Sequence, residues 1–236
     1  MLKKYRQLHV LGDSYTTPDF CVSPNESFWG LAAQHLSVDS IVNYSWPGNS
    51  FDSILHILAS QQNNFDWQQD YFLIGLPPLE RLTVFDNFKD TRYSKCIIDN
   101  STWNETKEEL SCHTGLTTIA GWKAEQMVIY HDRSWVETQT LTKLFYLVSW
   151  LQSNQASYLI LNLSKPFDQN NIWGPSEFVL PWAMAHDRMV LFKDTYYSIN
   201  ENIHKPADFA KHGWHGHHGP AGNRHFFEKS IKNKLC

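Results

Sequence analysis

Two groups of residues at opposite ends of a 236-residue chain have types that can do chemistry together. Near the start, His9-Val10-Leu11-Gly12-Asp13-Ser14-Tyr15 ends an apolar run in a Gly-Asp-Ser turn. Near the end, His212-Gly213-Trp214-His215-Gly216-His217-His218-Gly219-Pro220 is a tract crowded with imidazoles. It runs into Phe226, Phe227 and Ile231 at helix-like spacing. A serine hydroxyl is a poor nucleophile until a base within hydrogen-bond reach takes its proton, and imidazole is the commonest such base. The chemistry implied is attack by Ser14 on an acyl carbon, with a histidine shuttling the proton. A serine just past the carboxyl end of a first strand also stands where open α/β sheets hold their ligands. Gly12 permits the tight turn, Asp13 can hydrogen-bond its backbone, and the Ser14 amide is placed to stabilise a developing oxyanion.

Positioning these groups requires a sheet and the helices that cover it. Short apolar runs at Leu8–Leu11, Ser40–Asn43, Tyr71–Ile74, Tyr158–Leu163 and Met189–Phe192 predict strands, each bounded by turn or polar residues. Helices are predicted over Phe28–Leu36, Phe51–Gln61, Leu141–Ser153 and Asn223–Lys232. In the third of these, Leu141, Leu144, Phe145, Val148 and Leu151 share one face. Strands alternating with helices predict a parallel sheet covered on both sides, a three-layer α/β/α sandwich. The length suits one domain over residues 1–236. Residues 80 to 140 break the alternation: they are polar, carry Trp103, Trp122 and Trp135, and read as an insertion with a helix or two of its own. The stretch from Ser164 to Arg188, with Pro166, Pro175 and Pro181, reads as irregular chain approaching the same sheet edge.

The Gly-Asp-Ser block, a Gly-Asn-Ser block at 48–50, a strand-Gly block at 72–75 and the final histidine block occur in an order that resembles the GDSL/SGNH hydrolase family. That resemblance implies a flavodoxin-like α/β/α fold and assigns Ser14 as nucleophile. Its His-Pro-x-x-x-Gly pattern, counted back from Gly222, makes His217 the base and puts His218 at the proline position. An alternative alignment lets Pro220 carry the loop and makes His218 the base. The family's acid, two or three residues before the histidine, is missing, since His215 and Trp214 stand there. Asp208 could reach in from upstream, or a backbone carbonyl could take the imidazole proton and leave a Ser-His dyad. The family's oxyanion hole joins the serine amide, a glycine amide and an asparagine side chain. Gly48 matches the glycine, whereas Pro77 stands where the asparagine is expected and donates nothing. Asn49 and Arg81 are the candidate replacements, and Trp46 and Trp214, flanking matched blocks, are candidate substrate contacts.

A formal net charge of −4 and the lack of a long basic run argue against nucleic acid as a partner. No run approaches a membrane span, and the apolar stretch after Met1–Gln7 is too short for a signal-peptide core. Cysteines at 21, 96, 112 and 236 show no metal or redox spacing and read as free thiols, so a cytoplasmic location is expected. The cluster His212, His215, His217 and His218 lacks the cysteine or carboxylate partners of a dedicated metal site; neither a metal nor another cofactor is expected. The expected function is a serine esterase or deacetylase that cleaves a small-molecule or glycan acyl ester through an acyl-enzyme. An acyltransferase using the same serine is a close variant. A binding protein that kept the fold and lost the chemistry is the rival from another class.

Overall fold

The computed structural model describes residues 4–17, 23–46, 49–77, 137–164, 166–167, 179–196, 198 and 219–235, with backbone alone for 81–84, 94–97, 109–110, 119–120, 133–136 and 176–178. Five strands form one sheet: β1 (Gln7–Leu11), β2 (Ser40–Asn43), β3 (Asp70–Leu76), β8 (Ser157–Asn162) and β9 (Met189–Val190). Their order is β2-β1-β3-β8-β9, and every pairing is parallel. Alternation of side chains along the strands divides the apolar residues between two faces. Leu8, Val10, Tyr71, Leu73, Leu159 and Leu161 pack on the face covered by α1 (Phe28–Leu36) and by α5 (Pro220–Phe226), with Phe28, Trp29 and Phe226. Leu11, Phe72, Ile74, Leu76 and Ile160 pack on the other, under α2 (Phe51–Gln61), α3 (Arg133–Ser153) and α4 (Ser176–Ala185). The protein is therefore a three-layer α/β/α sandwich with a parallel sheet at its centre.

The strand order sets the place of the site. From β1 the chain crosses by α1 to β2, and from β3 it crosses by α3 to β8, on the opposite side. The carboxyl ends of β1 and β3 thus flank the point where the winding reverses, the usual position of a ligand crevice in such sheets. The turn bearing Ser14 leaves β1 at this point.

Both α1 and α2 begin where the sequence predicts, because each opens on a serine cap. Ser27 Oγ accepts from the Gly30 amide at 2.9 Å and Ser50 Oγ from the Ser53 amide at 3.3 Å. Two expectations are corrected, and one stretch shows strands that the sequence does not predict. Residues 164 to 188 are not irregular throughout: α4 occupies Ser176–Ala185 with Pro181 inside it, and Ala183 together with Val179, Leu180 and Trp182 packs on the core. Core burial outweighs the lost backbone bond there. Between 80 and 140 the described residues form two antiparallel pairs that the sequence does not predict, β4 (Arg81–Val84) with β5 (Ser94–Ile97) and β6 (Glu109–Leu110) with β7 (Ile119–Ala120), together with the first part of α3, which begins at Arg133. On α3, Leu147 is buried while Phe145, 41% exposed, turns to the Trp182 ring at 5.2 Å. Among the described residues no helix is long and apolar enough to cross a membrane.

Candidate active site

Gly12, Asp13, Ser14, Tyr15, Thr16 and Thr17 form a single tight turn around Asp13. The Asp13 carboxylate accepts the Tyr15 amide at 3.0 Å. Its carbonyl accepts the Thr16 amide at 3.0 Å, the Thr17 amide at 3.1 Å and the Thr16 hydroxyl at 2.9 Å. Asp13, Thr16 and Thr17 are buried, and Ser14 is half-buried at the edge of the sheet. Of the amides that follow Asp13, those of residues 15, 16 and 17 are turned back onto it. Among the described residues none accepts the Ser14 amide or bonds its hydroxyl. The Ser14 hydroxyl and the N–H beside it are thus presented together on a hydrogen-bonded turn.

Glycine is needed at two places for close packing. A Cβ on Gly12 would collide with the Thr16 hydroxyl, and one on Gly75 would collide with Leu163 and come within 3.2 Å of the Thr16 methyl. The segment after β2 braces the turn from the other side. Asn43 Nδ2 donates to the Thr16 carbonyl at 2.7 Å, and Asn43 Oδ1 accepts the Ser45 amide at 2.8 Å. Asn49, buried, donates Nδ2 to the Gly12 carbonyl at 2.8 Å. The residue considered as an oxyanion donor therefore commits one of its hydrogens to the backbone beneath Ser14. Trp46, 55% exposed, stands on the rim of the same segment. Pro77, buried, ends β3 with no N–H to offer. Arg81 opens β4, in the chain that leaves β3.

Gly48, Trp214, His217 and His218 lie outside the described residues, as do Asp208, His212 and His215. The first described residue after the histidine tract is Gly219. Its carbonyl accepts the Asn223 amide at 3.1 Å and Asn223 Nδ2 at 3.3 Å. Asn223 Oδ1 accepts the Tyr196 hydroxyl at 3.2 Å, and the Tyr196 ring packs edge-on against Tyr15 at 5.4 Å. The end of the histidine tract is thereby linked to the residue that follows Ser14. Among the described residues no group of three His, Cys, Asp or Glu side chains could hold a metal ion.

A second polar cluster, absent from the sequence reading, lies at the foot of the sheet. Asp70 accepts from Arg6 Nε at 2.9 Å and Nη2 at 2.7 Å, from His9 Nε2 at 2.9 Å and from the Asp66 amide at 2.9 Å. Burial of His9 among Tyr44, Phe65 and Phe72 pushes its pKa down, so the ring is neutral and donates Nε2–H to the carboxylate. Among the described residues its Nδ1 has no hydrogen-bond partner, as suits a bare nitrogen among aromatic rings. His9 sits two residues before the carboxyl end of β1, with its Nε2 turned to the residue that starts β3, so it belongs to the scaffold.

No family model and no curated protein sequence matches the chain. Among solved structures it is similar to a member of the lipolytic protein G-D-S-L family from Veillonella parvula, with 12% identity, a TM-score of 0.46, and 96% of this chain and 97% of that one covered. It is similar also to a carbohydrate esterase whose active site is described as having divergent catalytic and non-catalytic binding functions (16% identity, TM-score 0.46, 98% of this chain and 68% of that one). A third is an alpha/beta hydrolase from the metagenome of Lake Arreo, Spain (14% identity, TM-score 0.45, all of both chains). At these identities activity has to be argued from the site.

Proposed function

We propose that the protein is a serine esterase or deacetylase acting on a small acyl ester through an acyl-enzyme. One observation carries the reading: in the turn after β1, the amides of residues 15 to 17 are spent on Asp13 and that of Ser14 is not. The half-buried serine beside it stands at the reversal point of the sheet. Ser14 Oγ attacks the acyl carbon, its proton passes to a histidine of the terminal tract, and the Ser14 amide receives the oxyanion. The same histidine then protonates the departing alkoxide. Water, activated by that base, attacks the acyl-enzyme and releases the acid. His217 is the preferred base and His218 the alternative; the tie from Gly219 through Asn223 and Tyr196 to Tyr15 supports either, because they lie two residues and one residue before Gly219. Gly48 supplies a second amide. In this reading residues 80–140 are an insertion that helps wall the substrate, and the exposed Trp46 offers an aromatic face for a glycan or acyl group. The cysteine spacing favours the cytoplasm.

A second reading, a binding protein on the same fold, is favoured by Pro77, which removes the expected side-chain donor. Loss of one oxyanion donor typically costs about 3 to 4 kcal/mol of transition-state stabilisation. Hydrolysis of p-nitrophenyl acetate and labelling by a fluorophosphonate separate the two. Wild type should show both and Ser14→Ala neither; equal hydrolysis by the two proteins would overturn the esterase reading.

A further inference from the structure

We propose that Thr16 is a positioning residue for the oxyanion donor: it sets the direction of the Ser14 amide by holding the carbonyl at the other end of the same peptide bond. The consequence for catalysis rests on the esterase reading, whereas the geometry does not. There are no cis peptide bonds among the described residues, and a trans peptide is planar, so its C=O and N–H point to opposite sides. Whatever fixes the Asp13 carbonyl therefore fixes the Ser14 N–H. Among the described residues three donors fix it, and two belong to Thr16: the amide at 3.0 Å and the hydroxyl at 2.9 Å, joined by the Thr17 amide at 3.1 Å. Rotating the peptide to aim the Ser14 N–H elsewhere would break all three where water cannot replace them, since Asp13 and Thr16 are 0% exposed and Thr17 is 1% exposed. Donors on a carbonyl also polarise the amide beyond it, so the same bonds make the Ser14 N–H a stronger donor.

Thr16 is in turn held by all three strands that meet at the site. Gly12, directly after β1, leaves room for its hydroxyl, and Gly75 in β3 leaves room for its methyl. Asn43, the last residue of β2, donates to its carbonyl at 2.7 Å. Side-chain substitution at Thr16 can remove the hydroxyl bond alone, because the two amide bonds belong to the backbone. Threonine meets both requirements, a donor toward Asp13 and a methyl toward Gly75; valine keeps only the shape and serine only the donor.

The test uses the full chain with Thr16→Val, Thr16→Ser and Ser14→Ala. Two readouts are taken: the Ser14 amide resonance in a nitrogen–proton correlation spectrum, and kcat and KM for p-nitrophenyl acetate. Thr16→Val should move the Ser14 amide resonance upfield and lower kcat about tenfold, with KM within about twofold, since one transition-state hydrogen bond is weakened and ground-state binding is not. Thr16→Ser should restore both. If Thr16→Val does not fold, Thr16→Ala, which removes the hydroxyl without pressing a methyl on Gly12, should give the same pair of changes. A lower melting temperature with unchanged resonance and unchanged kcat would mean a purely structural role and overturn the proposal. If wild type has no Ser14-dependent hydrolysis, the esterase reading fails, and the amide resonance alone still decides whether Thr16 sets the peptide.

Discussion

Asp70→Asn should destabilise the protein by about 2–3 kcal/mol at pH 7, the scale of charge-assisted hydrogen bonds lost or weakened at one buried acceptor. The Asp70 carboxylate is fully buried and collects four donors, Arg6 Nε on Oδ1 and Arg6 Nη2, His9 Nε2 and the Asp66 amide on Oδ2. An amide accepts at one oxygen only. In its better orientation the oxygen keeps the three donors of Oδ2, now without charge assistance from the acceptor, and the NH2 faces Arg6 Nε. The full cost of breaking a buried ion pair, about 3–5 kcal/mol, does not apply. The Arg6 side chain is 47% exposed and can turn to water. For a chain of 236 residues the expected loss corresponds to about 4–6 °C in melting temperature. Burial alone would raise the Asp70 pKa, but the bonds from Arg6, His9 and Asp66 outweigh it and hold the group below its ordinary value. A carboxylate depressed in the folded state contributes stability above its unfolded pKa, near 4, and loses it as pH falls through the folded value. Asparagine does not titrate, so the penalty should be complete at pH 7 and shrink below about pH 4. Thermal unfolding followed by circular dichroism at pH 7 and pH 3 tests this. No loss at pH 7, or an equal loss at both, would refute the reasoning.

His9 is held below its usual pKa, chiefly by burial, so it is neutral when folded and gains a proton on unfolding below about pH 6.5. Wild-type stability should therefore fall as pH drops through that range. His9→Gln, which keeps a donor toward Asp70 and cannot titrate, should flatten the slope of urea midpoint between pH 7.5 and 5.5; an unchanged slope would assign the dependence elsewhere. His217→Ala should abolish ester hydrolysis while His218→Ala only weakens it, and the reverse pattern would move the base to His218. Trp46→Ala should raise KM for glycan or aromatic esters several-fold and leave kcat for acetate and the melting temperature nearly unchanged, because the ring is 55% exposed. A fall of several degrees would make it an anchor of the fold.

The fold was legible wherever local sequence signals and burial agree. The edge strand β2 and helices α1 and α2 lie on their predicted bounds, and each of those helices opens on a capping serine. The other strands shift by a residue or two at their ends: ladder bonds extend past the apolar run in β1 and β3 and stop short of its end in β8 and β9. Helix α4 was hidden because Pro175 and Pro181 are strong turn signals, and only the sheet face it covers explains why Pro181 is tolerated. The pairs β4–β5 and β6–β7 escaped because they lie inside a stretch whose polar composition reads as an insertion, and the two-residue strands β6 and β7 carry no alternation of their own. Asp70, Arg6 and His9 were silent for another reason: the bond from His9 to Asp70 spans 61 residues and no local pattern marks it.

The same distinction runs through the site. Gly-Asp-Ser is local, so its three residues could be read together, whereas Asn43 to Thr16 and Asn49 to Gly12 span 27 and 37 residues and exist only once β1 and β2 are paired. Asn49 shows how this changes a role. From sequence it was a spare amide beside the glycine block; in the structure one of its hydrogens holds the carbonyl two residues before Ser14. On the esterase reading, with Pro77 in place of a side-chain donor, oxyanion stabilisation would fall to backbone amides. A backbone amide cannot reorient by side-chain rotation; its aim is set by the peptide plane. Thr16, on the Asp13 carbonyl, then matters to that chemistry by locking the plane of the Ser14 amide, while Asn49 holds the preceding peptide through the Gly12 carbonyl. An asparagine side chain in the hole would tolerate error in that plane, so on the esterase reading its loss would make the bracing beneath Ser14 the point at which catalysis is won or lost.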